Sequence, residues 1–225
     1  MASNSFQDVI RTRRSYRNFL STPIKEEVMR EVLEDAQFTP SNCNTQPWDV
    51  HIVSGAKKKE LTMALLKTQN EGSEAKPDFS FELKDYYGIY STRQKEQGKA
   101  YYQSLGVART DYEGRKRVSD RNFEFFDAPH AAFLFMPVIG DNVRVASDIG
   151  MYAQSFLLAL AARGIGSVPQ TVLGFHADVV REVLGVSKDM KLLFGISFGY
   201  PDVEALENRN RMGRDPIENN VSFHC

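Results

Sequence analysis

Residues 131–163 read AAFLFMPVIGDNVRVASDIGMYAQSFLLALAAR, and this stretch decides the fold. Its first nine residues, Ala131 to Ile139, form a nearly unbroken apolar run of strand length, as a strand covered on both faces requires. From Asp148 to Arg163 the chain becomes rich in Ala and Leu and apolar almost all round, which predicts a helix buried centrally or in a subunit interface. Gly164 and Gly166 end it. A second run, Leu192 to Phe198 (LLFGISF), has the same character as the first. Buried strands separated by a buried helix predict helices packed on a sheet, an α/β or α+β sandwich whose strand order the sequence leaves open.

The flanking segments extend this pattern. Asp49 to Ser54 alternates around Val50 and Ile52 and predicts another strand. Ser5, with Asp8 three residues on, is placed as a capping box for a short helix carrying Phe6, Val9 and Ile10 and ending near Arg13. A longer helix is marked by Thr22 as cap, Pro23 in the first turn, then Ile24, Val28, Met29, Val32, Leu33 and Ala36, with Pro40 as its stop. Asp178 to Leu184 predicts a short helix closed by Gly185, and Ile217 to Phe223 reads as strand-like. Between about Thr68 and Asn122 the chain is rich in Lys, Glu, Gln and Tyr and loses its apolar period, an excursion from the core. At 225 residues the whole chain is expected to form one domain.

Composition narrows the function. With 28 Lys+Arg against 29 Asp+Glu, the net charge of −1 argues against a surface built wholly for nucleic acid or an anionic membrane. Cys43 and Cys225 lie far apart and outside any CxxC pair, so neither a disulfide framework nor a structural zinc site is expected, and no metal is predicted. The N-terminus lacks an apolar signal region and no uncharged apolar run reaches membrane-spanning length, so the expectation is a cytoplasmic protein.

Arg13-Arg14-Ser15-Tyr16-Arg17 is the first candidate for chemistry. In an extended chain Arg13, Ser15 and Arg17 share one face and offer two guanidinium forks with a hydroxyl between them, a set suited to a phosphomonoester. The alternative is a solvated basic patch. The second candidate, Pro40-Ser41-Asn42-Cys43-Asn44-Thr45-Gln46-Pro47-Trp48, crowds polar side chains between two prolines beside the only tryptophan. It is either a surface turn or a rigid rim that reads a polar heterocycle, with Trp48 anchoring it in the core. Gly164 to Gly174 either lines the same site with backbone groups or simply connects two helices. Arg214 adds a cation in a late turn. His51, His130, His176 and His224 fall into no constellation, and Cys43 has no visible activating partner.

Taken in order, RRSYR, PSNCNTQPW, the D-I-G-x-x-x-Q helix ending in GIGSVPQ, then FGYPD and R-D-P-I-E resemble the FMN-dependent nitroreductase family over nearly the whole chain. Only the excursion falls outside the likeness, where this family varies and often builds a cover over the substrate. The resemblance implies an α+β fold with a central, mainly antiparallel sheet flanked by helices, in an intertwined homodimer with two active sites at its interface. It implies FMN held through its phosphate and ribityl chain by Arg13, Ser15 and Arg17, with Arg14 contributing backbone, and by Arg214. Some relatives carry Lys where this chain has Met212, so Arg211 is the substitute cation. Ser41, Asn42 and Asn44 would reach the flavin from the partner subunit, and Pro169, Gln170 and Thr171 would pass the ring near N5.

The activity so implied is hydride transfer from NADPH or NADH to the flavin and on to a nitroaromatic or quinone, in ping-pong order, with the protein supplying binding and electrostatics and no side chain named as essential acid or base. Tyr86, Tyr90 and Arg93 of the excursion are candidates to stack on a flat acceptor and pair with its carboxylate; otherwise the excursion is a mobile or dimer-wrapping helical arm. Two rivals stand beside this reading: the same FMN fold performing dehalogenation, enone reduction or flavin cleavage, or a non-enzymatic RNA-binding module whose basic segments contact phosphates.

Overall fold

The computed structural model describes residues 5–225. In chain order the elements are α1 (Phe6–Thr12), α2 (Glu26–Gln37), β1 (Asp49–Ser54), α3 (Gly55–Asn70), α4 (Gly88–Ser104), α5 (Tyr112–Asp120), β2 (His130–Pro137), α6 (Val143–Ala162), β3 (Gly166–Gln170), α7 (Ala177–Leu184) and β4 (Met190–Gly199). The four strands form one sheet in the order β1-β2-β4-β3, with every neighbouring pair antiparallel. This is the α+β architecture expected.

The two-residue period of β2 divides its side chains between two cores. Ala132, Leu134 and Met136 join α2 and α6 on one face, whereas Ala131, Phe133 and Phe135 join α3, α7 and the Phe123–Ala128 turn on the other. A bulge follows between Leu134 and Phe135, which pair with Phe194 and Leu192 and leave Leu193 as the extra residue. It reverses the parity of β4, so Ile196 faces the α6 side while Leu192 faces the α3 side. Among the described residues α6 is the one helix long and apolar enough to cross a membrane, and half of its most apolar window is buried inside the chain, as in a core helix.

Several expectations need correction. Thr22 and Pro23 do not start α2; the helix begins at Glu26 after an extended Lys25. Residues 22–25 lie outside the helix, where the Ile24 N–H donates to His130 Nε2 at 2.9 Å instead of entering a first turn. Helix α3 carries little apolar patterning and buries only Leu61 and Leu65, yet it runs for 16 residues. The excursion is helical, containing α4 and α5, as the arm reading has it. Gly166–Gln170 is not a helix-to-helix connection but an edge strand, where Pro169 needs no ladder donor. Residues 217–223 form a single turn at Ile217–Asn219 followed by irregular chain, and no strand.

Candidate functional site

The capping box that starts α1 is present, with the Asp8 N–H donating to Ser5 Oγ at 3.2 Å. The helix lets go at Arg13, whose own N–H still reaches the Val9 carbonyl while its backbone turns extended. Ser15 then bridges Ser167 in parallel beside β3, and the Tyr16 N–H donates to the Ser167 carbonyl at 3.1 Å. Gly166 permits this approach, since a Cβ there would lie 2.8 Å from the Tyr16 ring. The Arg17 N–H donates to Asn208 Oδ1 at 2.7 Å, and the buried Asn208 amide donates to the carbonyls of Asn18 and Asp202. The segment is thereby stitched along the sheet edge, and its alternation presents Arg13, Ser15 and Arg17 to one cavity.

That cavity measures about 850 Å³. Ile10, Arg11, Arg13, Arg14, Ser15 and Arg17 form one wall, Gln97 of α4 and Gln154 of α6 two others, and residues 210–214 the last. Among the described residues, none of Arg13, Arg14, Arg17, Arg211 and Arg214 has a carboxylate within ion-pair distance, whereas Arg93, Arg121, Arg163 and Arg181 all do. Burial, then the guanidinium of Arg214, then that of Arg211, pull Arg13 below the ordinary arginine value. Three cations facing one another across a cavity without an internal anion make a site for a multiply charged anion.

The structure thus brings together Arg13, Arg14, Ser15, Arg17 and Arg214, and adds Arg211. The other residues singled out from the sequence do not line this cavity. Ser41, Asn42 and Asn44 lie in a tight turn with positive φ at Cys43, Asn44 and Gln46. The turn is held by the Asn42 N–H donating to the buried Asp148 carboxylate and the Gln46 N–H donating to Ser41 Oγ. Trp48 anchors it, stacked on Tyr152 at 4.9 Å. The Gln170 side chain is committed inward: it accepts from Ser197 Oγ and donates to the Asn122 carbonyl, leaving the backbone of Pro169–Thr171 for any ligand. Arg93 is ion-paired with Asp215, while Tyr86 packs on Phe81 and Tyr90 on Tyr87. Sequence reading missed Gln97 and Asn208, isolated amides whose place is set only by packing, and gave no site role to Gln154, although it closes the D-I-G-x-x-x-Q motif.

Comparison with known proteins gives a consistent result. The Nitroreductase family model matches residues 10–200. Nitroreductase NfnB of Mycolicibacterium smegmatis is 40% identical over 215 residues, covering 96% of this chain and 91% of that protein. A 4-nitrobenzoate reductase of Pseudomonas putida is 32% identical over 99% of this chain and 97% of its own length. The crystal structure of the FMN-dependent nitroreductase NfnB from Mycobacterium smegmatis in complex with NADPH superposes with a TM-score of 0.93 at 39% identity, covering 97% of each chain.

Proposed function

The chain belongs to the nitroreductase family, and from that membership we propose how its own residues serve the reaction. It is an FMN-dependent oxidoreductase that draws electrons from NADPH and reduces nitroaromatic compounds. FMN, when bound, supplies the redox centre that accepts a hydride from the nicotinamide and passes reducing equivalents to the nitro group.

The residues present fit that group, and one observation carries the assignment: the arginines around the cavity have no carboxylate partner among the described residues, with Arg13 held low first by burial and then by Arg214 and Arg211. Arg13, Ser15, Arg17 and Arg214 hold the phosphate, and Arg211 stands where it adds a further charge. A phosphate dianion removes the mutual repulsion of these groups and gives each guanidinium a charge-assisted partner. Pro169, Gln170 and Thr171 contribute backbone, because Gln170 spends its side chain on Ser197 and Asn122. No histidine is needed: His130 and His176 are buried in structural roles, and His51 lies beside Asp49.

The working unit is a homodimer. In support, Ser41, Asn42 and Asn44 stand outside their own chain's cavity, and α6 exposes Val143 and Met151 on the side that carries Gln154 into it. Ping-pong turnover, with NADPH leaving before the acceptor enters, follows from one open face serving both, and quinones are further acceptors of the right shape and polarity. A reducing, cytoplasmic setting accords with two exposed free thiols, Cys43 and Cys225.

The test is the double variant Arg13→Ala with Arg17→Ala. Each lost Arg–phosphate contact costs about 1.5–3 kcal/mol, so together FMN affinity falls by at least about a hundredfold while the fold persists. The purified variant is expected to be colourless, with wild-type far-UV circular dichroism. Full visible flavin absorbance in that variant rejects the phosphate assignment.

A further inference from the structure

We propose that Tyr101, on the excursion helix α4, is a positioning residue for the flavin phosphate, holding the Arg17 guanidinium in the cavity by the face of its ring. This rests on the phosphate reading above.

Every part of Arg17 except its N–H donors is fixed. Its backbone N–H donates to Asn208 at 2.7 Å and its carbonyl accepts from the Arg121 guanidinium at 3.3 Å. Its side chain has no carboxylate partner among the described residues; the guanidinium carbon instead lies 4.9 Å from the centroid of the Tyr101 ring. The difference matters chemically. A carboxylate at this place would orient the cation but also neutralise it and compete with phosphate, whereas an aromatic face orients it and leaves its hydrogen-bond donors free. Without either, a long side chain at the cavity wall gives up rotamer freedom each time the ligand binds.

Tyr101 is itself held in place. The adjacent Ala100 carbonyl accepts from Asn210 Nδ2 at 2.8 Å, tying α4 to the tail that carries Arg211 and Arg214. About two turns earlier on α4, Arg93 pairs with Asp215, the residue next to Arg214. The Tyr101 hydroxyl is buried and makes no hydrogen bond among the described residues, so the position uses the ring and not the oxygen. Burial pushes that phenol up to about 12, and it stays neutral beneath the cation. A residue lying outside the family likeness therefore bears on cofactor retention.

The experiment titrates the full-length chain, freed of flavin, with FMN and with riboflavin, which lacks the phosphate. Tyr101→Phe keeps the ring and is expected to bind FMN within about twofold of wild type. Tyr101→Leu is expected to weaken FMN about tenfold, leave riboflavin unchanged, and add nothing further when Arg17 is already alanine. Tyr101→Met carries the same test should the leucine variant not fold. Equal weakening of both flavins would mark a merely structural role and overturn the proposal, as would unchanged FMN binding. If Arg17→Ala itself binds FMN like wild type, the phosphate reading falls as well; if Arg17→Ala loses FMN while Tyr101→Leu keeps it, only the role of Tyr101 falls.

Discussion

His130 shows how a single buried group ties stability to pH. Its Nε2 accepts the Ile24 N–H at 2.9 Å and its Nδ1 meets Ser54 Oγ at 2.6 Å, an arrangement that requires the neutral ring. Burial, and secondarily Lys58, pull its pKa below the usual 6.5, and burial does the same for His176. The unfolded chain thus takes up protons that the folded chain refuses. Stability from these two groups is fully present above pH 6.5 and is lost as pH falls from 6.5 through the lower folded values. Urea midpoints measured across that range are expected to drop toward acid, and His130→Ala to flatten the slope while costing about 1–3 kcal/mol at neutral pH through the orphaned Ile24 N–H. An unchanged slope in the variant would contradict the assignment. Nothing in the sequence around His130 announces this role; the isolation of all four histidines conveys only that none is poised for catalysis.

At the scale of elements, the excursion proves to be fastened as well as attached. Asp78, between α3 and α4, has a buried side chain that forms an ion pair with the buried Arg181 of α7 and accepts the Leu192 N–H of β4 at 2.8 Å. Although burial works to lower it, hydrogen bonds to Asp78 and Asp178 hold Arg181 above its ordinary value. Removing one partner of a buried pair strands the other, so Asp78→Ala is expected to cost about 3–5 kcal/mol and to open the segment before α4 to protease. Denaturant midpoints and limited proteolysis check it, and a loss below about 1 kcal/mol would show that Asp178 alone suffices for Arg181. The contrast with the strands explains what was legible. β2, β4 and α6 follow from runs of apolar residues, because a strand or helix covered on both sides must carry that pattern, and β1 follows from its alternation. β3 is short, lies at an edge and contains Pro169, so it lacks the pattern, and α3 to α5 gain their order from contacts such as Asp78–Arg181 that join residues 103 apart. Of the candidate site, RRSYR was legible because phosphate chemistry demands a particular residue type, and Arg214 only through the family resemblance. Gln97, Asn208 and the contact of Tyr101 with Arg17 were not, since they depend on where the chain returns.

For the whole molecule, the C-terminal tail poses the remaining physical problem. Residues 209–225 are all exposed, and among them Phe223 is 81% and Ile217 61% accessible. An irregular tail cannot hold such side chains in water at any gain, and its position matters because it carries Arg211 and Arg214 into the cavity. In the homodimer proposed above, a second copy docked along the exposed side of α6 would cover Met151 and Val143, offer the tail an apolar surface, and bring a second Ser41–Asn44 turn toward the cavity. Folding, association and flavin retention then form one linked equilibrium, so the melting temperature of the flavin-free protein rises with its concentration. Placing a charge on that face with Met151→Arg is expected to reduce the mass measured by light scattering to that of one chain and to release FMN together with it. A variant that becomes monomeric yet keeps its flavin at micromolar concentration would show that a single chain completes the site, and would overturn the link between association and flavin retention.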